Sequence, residues 1–210
     1  SSYSWNTGET TASITVSPTD TTTYTVDIEQ HASCTATIPI TVNTLALPSV
    51  SAGSDNSVCI GSSFNLSATG ASTYLWTPTA TLSDSAIANP VATPTTITTY
   101  VVAGTDVNGC TNTDTITISI NALPTINAGN DTVLCVGDTL QLNGSGGSTY
   151  SWSPSTGISN ANIASPYLVV SANETFTLTA TDANGCQNTD QITVTANQVP
   201  GLNVLGLPAI

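Results

Sequence analysis

The sequence predicts an all-β protein made of tandem antiparallel β-sandwiches in a rod-like array. Apolar and polar residues alternate with a period of two, as along Ile116, Ile118 and Ile120, and this is the period of a strand with one buried face. Thr, Val, Ile and Tyr occupy these alternate positions, whereas the helix formers Glu, Lys and Gln are rare or absent, so strand formers predominate. A unit that carries Trp76 onto Trp152 also repeats along the chain, which indicates one small β-structure used several times.

The repeated unit keeps its length between two complete copies. Trp76 corresponds to Trp152 and Cys59 to Cys135 at one constant offset, so no insertion is needed between the copies. They are predicted at residues 47–122 and 123–198 and are called here the second and third modules. Because only residues 122–124 connect them, we expect a rod rather than flexibly linked domains.

The first copy of the unit is incomplete. Ser1 falls at the position of Ser72, so nothing in residues 1–46 matches residues 48–71. Residues 1–46, the first module, are therefore predicted to be a sandwich that lacks its first two strands. The open sheet edge of such a sandwich pairs readily with another chain.

Residues 199–210 form an apolar tail without charged side chains. Pro200 lies one full repeat after Pro124, so the tail takes the place of the first strand of a further module. We hypothesise that the tail of one copy adds to residues 1–46 of the next, which gives an open filament because the contact does not close. The alternative is that the chain is part of a longer tandem array. The tail residues predicted to make the assembly contact are Leu202, Val204, Leu205, Leu207 and Ile210.

Five cysteines are present, and four of them fall into two pairs with the same spacing. The interval from Cys59 to Cys110 equals that from Cys135 to Cys186, which predicts two equivalent disulfides within the second and third modules. Each would stabilise its module by roughly 4 kcal/mol in the chain-entropy model. Disulfides indicate an oxidising compartment, so a secreted or cell-surface protein is expected. Cys34 has no partner in this pattern.

The charge pattern excludes several functions. The chain carries 13 acidic residues, no Lys or Arg and one His, which gives a formal charge of −13. Without cationic side chains it cannot neutralise phosphates, so a nucleic-acid partner is excluded, and it has no polybasic patch for an anionic membrane. No run of 18 apolar residues exists, so membrane insertion is not expected.

Groups for catalysis or metal binding are sparse. His31 is the only histidine, and its neighbour Cys34 is interpreted as an unpaired thiol near a hairpin tip rather than as a nucleophile. No acidic pair stands out for glycoside hydrolysis, and no Cys-x-x-Cys pattern is present. We therefore predict no enzymatic activity, no metal site and no cofactor.

Three motifs follow one another in each complete module. In the second module, Pro-x-[Val/Ile]-x-Ala-Gly-x-Asp begins at residue 48, Tyr-x-Trp-x-Pro at 74 and Asp-x-Asn-Gly-Cys at 106. This order resembles the immunoglobulin-like and PKD-like tandem repeats of secreted Bacteroidota surface proteins, among them adhesins and gliding-associated proteins. The resemblance implies extracellular immunoglobulin-like sandwiches that serve as a spacer, stalk or adhesive module without catalysis.

Two functional alternatives to a structural stalk or filament remain. An adhesin module would bind a glycan or a protein through its loops and would expose its aromatic residues, whereas the structural interpretation predicts that Tyr74 and Trp76 are buried. An accessory module of an enzyme would be fused to a catalytic domain. The structural interpretation also predicts self-association between identical chains.

Short motifs suggest local structure and modification. Asn108-Gly109 predicts a tight hairpin in which both turn residues have positive φ. The nearby Asp106 offers oxygen atoms either to Ca²⁺ or to a turn, and the turn is favoured. Several Asp-[Ser/Thr]-apolar triplets resemble the O-glycosylation site of Bacteroidota proteins, so covalent glycans are candidates. The candidate glycosylated residues are Thr21, Ser85, Thr115, Thr132 and Thr139.

Overall fold

A computed structural model of the chain describes residues 1–31 and 34–198. These residues form fifteen strands and no helix, so the all-β prediction is confirmed. The strands are, in the first module, β1 (Ser2–Trp5), β2 (Thr22–His31) and β3 (Cys34–Val42); in the second, β4 (Asn56–Cys59), β5 (Phe64–Asn65), β6 (Thr73–Thr77), β7 (Val91–Ala92), β8 (Thr98–Thr105) and β9 (Thr111–Asn121); in the third, β10 (Thr132–Cys135), β11 (Thr139–Gln141), β12 (Thr149–Ser153), β13 (Tyr167–Val169), β14 (Glu174–Thr181) and β15 (Gln187–Asn197).

The second module is a sandwich of two sheets. One sheet has the order β4-β9-β8-β6, and the other consists of β5 and β7. β4 runs parallel to β9, whereas all other neighbours are antiparallel. The third module repeats this arrangement with β10-β15-β14-β12 and β11-β13. Strands β6, β8 and β9 take the places of strands C, F and G, and β5 and β7 those of B and E, so both complete modules are immunoglobulin-like.

Each complete module has six strands rather than the seven of a constant-type immunoglobulin domain. The missing pairing is reduced to an isolated bridge, between Ser51 and Thr69 in the second module and between Asn127 and Ser145 in the third. The segment that opens the module is thus held by side chains more than by a backbone ladder.

The core of the second module lies between the two sheets and is built around Trp76. Trp76, Tyr100, Val102 and Leu66 are all fully buried in one apolar cluster. Val102 follows Tyr100 by two residues, which is where antibody domains carry the second cysteine of their core disulfide. Here that position is apolar, so no disulfide crosses the core. Tyr74 is partly buried, and its hydroxyl donates to the carbonyl of Ala71 at 2.9 Å.

The hairpin between β8 and β9 differs from the predicted two-residue turn. Gly109 has a φ of 85°, but no non-glycine residue in the described part of the chain has a positive φ, so Asn108 does not. The carboxylate of Asp106 accepts the backbone N–H groups of Asn108 at 2.8 Å and of Cys110 at 2.9 Å. The five residues 106–110 therefore form an Asx turn, as the turn interpretation of Asp106 predicts. Asn108 has a negative φ in this turn.

Two polar side chains of β9 hydrogen-bond the opening segment of the second module, residues 48–55. The carboxylate of Asp114 accepts the backbone N–H of Ala52 at 2.8 Å, and Asn112 Nδ2 donates to the carbonyl of Pro48 at 3.0 Å. The N–H groups of Ala52 and, less strongly, Thr115 lower the pKa of Asp114 below its usual value of 3.8. In the third module the same contacts join Asp190 to Ala128 and Asn188 to Pro124.

Acid is expected to loosen this attachment. Because the folded-state pKa of Asp114 is depressed, its stabilising effect is complete above pH 3.8 and is lost as the pH falls through the folded-state pKa. Asp114→Asn is expected to lower the stability of the second module at pH 7 and to flatten its pH dependence below pH 3.8. Urea unfolding at several pH values measures both effects, with Asp20→Asn in the first module as the control. Identical pH profiles for the wild type and Asp114→Asn would contradict this role.

Candidate assembly site at the module ends

The junction between the second and third modules brings two cysteines together. Cys59 ends β4 and lies beside Asn121, the last residue of β9. Cys186 immediately precedes β15, where Asn188 Nδ2 donates to the carbonyl of Pro124 at 2.9 Å. Since only residues 122 and 123 separate Asn121 from Pro124, both cysteines flank the same joint.

A disulfide bonds Cys59 to Cys186 across this joint. Their Cα atoms are 5.6 Å apart, and 127 positions separate them in sequence. This distance is typical of a protein disulfide. The bond therefore ties two modules together instead of closing a loop within one.

The predicted disulfides Cys59–Cys110 and Cys135–Cys186 are wrong, because the two cysteines of a module lie at its opposite ends. Cys59 lies beside Asn121, the last residue of β9, whereas Cys110 directly precedes Thr111, the first residue of β9. An eleven-residue strand spans about 33 Å between its first and last residues, far beyond the reach of a disulfide. The equal spacing of the two cysteine pairs marks the repeat and not the partners.

Three cysteines are free in the described part of the chain. Cys34 and Cys135 are exposed, and Cys110 is partly buried. Cys135 lies beside Asn197 at the far end of the third module, as Cys59 lies beside Asn121. Cys34 and Cys135 thus leave an exposed thiol at the two ends of the array of three modules.

The first module leaves part of its core uncovered. Its sheet has the order β1-β2-β3, and among residues 1–31 and 34–198 no strand pairs with β3 where β4 pairs with β9. Ile40 on β3 is 43% exposed, whereas its counterpart Ile116 is 2% exposed. Trp5 is partly exposed, whereas Trp76 is fully buried. We interpret this open face as the place of the strands that the first module is predicted to lack, and the incomplete sandwich stays a prediction.

Two cavities lie on the open face of the first module. The larger, of about 290 Å³, has a mixed lining of Ile28, Gln30, Cys34, Thr35 and Ala36. The counterpart of Ile28 is Gly104, whose Cα faces the side chains of Val50 and Ala71 in the second module. This cavity therefore marks the place that the opening segment fills in a complete module. The second cavity, of about 260 Å³, is lined by Trp5, Ile14, Val16, Tyr24, Ile40 and Val42.

On β3, apolar residues replace the two polar residues of β9 that bind the opening segment of the second module. Ala36 stands where the second module has Asn112, and Ile38 stands where it has Asp114. Ile38 is 44% exposed. Sequence analysis missed these two replacements, although the repeat alignment contains them, because the role of Asp114 is visible only in the structure.

The predicted tail contacts Leu202, Val204, Leu205, Leu207 and Ile210 lie outside the described residues. The glycosylation candidates lie on all three modules. Among them Thr21, Thr115 and Thr139 are exposed, and Ser85 and Thr132 are partly buried.

Within residues 1–31 and 34–198, no three His, Cys, Asp or Glu side chains gather as metal ligands. The Asp106 carboxylate is engaged by two backbone N–H groups of its own turn. Nor do the described residues include a helix long and apolar enough to cross a membrane.

Comparisons with known proteins bear on the fold alone. No family model matches the chain, and no curated protein matches it. Extracellular domains 3–5 of Drosophila OTK are similar in structure, with 9% identity over 84% of this chain and 71% of that one and a TM-score of 0.40. The eight N-terminal immunoglobulin domains of DSCAM align over 93% of this chain and 31% of that one, at 12% identity and a TM-score of 0.35. Fibronectin(III)-like modules of Clostridium thermocellum CbhA align over 69% of this chain and 90% of that one, at 14% identity and a TM-score of 0.35.

Proposed function

We propose that the chain is a non-enzymatic structural protein of the extracellular surface, a stalk or filament subunit made of immunoglobulin-like modules. The Cys59–Cys186 disulfide carries this proposal, because it fixes one module to the next and requires an oxidising environment. An adhesin that binds glycans through aromatic side chains is less well supported, since Trp76 and Trp152 are both buried. Electron microscopy of the purified chain tests the proposal: fibres are expected, and dispersed monomers at high concentration would count against a filament.

The subunits are proposed to join head to tail by strand addition. Residues 200–210 of one copy enter the open face of the first module of the next copy, alongside the outer edge of β3. The exposed Ile40 and the cavities beside β3 support this acceptor site. The donor is argued from sequence position, since Pro200 corresponds to Pro124 and to Pro48, which opens the second module.

Both the tail and β3 carry apolar residues at positions where the complete modules carry aspartate. In the second module, the Asp55 carboxylate accepts the backbone N–H of Thr117 at 2.8 Å. The opening segment and β9 thus each supply an aspartate that binds a backbone N–H of the other. In the tail, Leu207 stands in place of Asp55, and on β3, Ile38 stands in place of Asp114. In the register of the complete modules, Val204 of the tail would lie opposite Ile38, so an apolar contact replaces the hydrogen bond between Ala52 and Asp114.

A contact of this kind is heterologous. The tail follows the third module in sequence, whereas the acceptor face belongs to the first module, so each added copy presents a new acceptor. Such a contact continues without closing and produces a fibre.

Removing residues 200–210 is expected to abolish self-association. Sedimentation under reducing conditions measures the non-covalent contact alone; the wild type is expected to form concentration-dependent oligomers and the truncated chain to remain monomeric. Ile40→Asn is expected to weaken association at least tenfold, because it places an amide on the acceptor face.

Ile97→Asn in the second module is the matched control, since Ile97 is 68% exposed and lies away from the acceptor face. It is expected to associate like the wild type. Undiminished oligomers after the truncation would refute strand addition.

A further inference from the structure

The bonded joint defines which cysteines belong together. The cysteine that ends the first edge strand of one module, Cys59, bonds to the cysteine that precedes the last strand of the next module, Cys186. By the repeat alignment, Cys135 is the counterpart of Cys59, and Cys34 and Cys110 are counterparts of Cys186. Free thiols of both kinds are therefore present in the same chain.

We propose that Cys135 of one copy forms a disulfide with Cys34 of the next copy at the head-to-tail joint. This inference rests on the proposed strand addition, which makes the first module of one copy the successor of the third module of another. Asn197 then leads to Pro200 as Asn121 leads to Pro124. The joint between copies thereby reproduces the joint between the second and third modules.

The positions of the two thiols suit this bond. Cys135 is exposed beside Asn197, at the end of the third module where the tail begins. Cys34 is exposed and lines the cavity that the opening segment fills in a complete module. A tail that enters this cavity brings the preceding module, and with it Cys135, next to Cys34. In the bonded joint the counterpart Cys186 is fully buried, so bond formation is accompanied by burial of the sulfur.

The bond forms by thiol–disulfide exchange with a small-molecule disulfide such as oxidised glutathione. The thiolate of Cys135 attacks one sulfur of the oxidant and releases one thiol, which leaves a mixed disulfide on Cys135. The thiolate of Cys34 then attacks the protein sulfur of the mixed disulfide and releases the second thiol. Two cysteine thiols are oxidised, and one small disulfide is reduced to two thiols.

Cys110 provides an internal control. It is also a counterpart of Cys186, so its partner would belong to the preceding first module at the counterpart of Cys59. That position is not among the 210 residues, and neither the first module nor the tail carries another cysteine there. When the 210 residues alone are assembled, Cys110 therefore has no cysteine at the partner position and is expected to remain a thiol.

The test uses the full chain incubated with oxidised glutathione and analysed by non-reducing electrophoresis. The wild type and Cys110→Ser are expected to give a ladder of covalent oligomers, whereas Cys34→Ser and Cys135→Ser are expected to give monomers only. Cleavage before aspartate places each cysteine on its own peptide, so mass spectrometry identifies the linked pair directly. A linked peptide that contains residues 34 and 135 is the expected product.

Sedimentation of Cys135→Ser under reducing conditions separates this inference from strand addition. Non-covalent oligomers without a Cys34–Cys135 peptide in the oxidised wild type would overturn the disulfide and leave strand addition standing. Loss of the reduced oligomers in the wild type would overturn strand addition itself. A ladder that disappears with Cys110→Ser would also overturn the proposed pairing.

Discussion

Cys59→Ser is expected to lengthen the fully extended chain by about 450 Å in a single-molecule pulling experiment, because the disulfide joins positions separated by 127 residues and an extended chain spans at most about 3.6 Å per residue. In the bonded chain, tension that enters through β4 passes across the sulfur bridge into β15. Residues 60–185 then lie outside the path of the force and cannot extend.

The wild type in the presence of a reductant is expected to reach the same length as Cys59→Ser. Cys110→Ser under oxidising conditions is the matched control, because Cys110 is free in the structure, and it is expected to keep the short length. If Cys110→Ser also released additional length, Cys59 would be paired with Cys110, and the Cys59–Cys186 bond would be contradicted.

Trp152→Ala is expected to destabilise the third module by about 3–5 kcal/mol, the usual cost of removing a large aromatic side chain from a core. Trp152 is 2% exposed in the core of that module, and its Nε1 donates to the carbonyl of Ile163 at 3.1 Å. The substitution leaves a cavity and an unpaired carbonyl. Differential scanning calorimetry of the full chain measures the loss as a lower unfolding temperature of one transition.

Trp5→Ala is the matched control because Trp5 occupies the same repeat position in the first module. Its Nε1 donates to the carbonyl of Thr11 at 2.9 Å, but its side chain is partly exposed on the open face. The loss of stability is therefore expected to be clearly smaller than for Trp152→Ala. Equal losses for the two substitutions would mean that the first module buries its tryptophan as completely as the third.

Much of the fold follows from features that a single sequence displays. The alternation along Ile116, Ile118 and Ile120 reports a strand with one buried face, and Ile116 and Ile118 are indeed buried. The recurrence of Trp76 at Trp152 reports a core position, since both tryptophans are buried. These signals are local or periodic, and they survive without knowledge of how the strands pair.

The disulfide pairing could not be predicted in the same way. Whether Cys59 lies near Cys110 or far from it depends on the direction in which β4 pairs with β9. A parallel pairing places Cys59 beside Asn121, whereas the repeat spacing contains no information about direction. The prediction that Asn108 has a positive φ was wrong for a related reason. The conformation of this loop depends on the Asp106 carboxylate as well as on the Asn-Gly pair.

The apolar core around Leu66 and Val102 separates folding from oxidation. An antibody domain places sulfur in its centre, so reduction weakens the module itself. In this chain the centre contains no sulfur, and the sulfur bridge lies at the joint. Each module can thus reach its native state in a reducing environment, and a later change of redox conditions stiffens the array without any module having to refold.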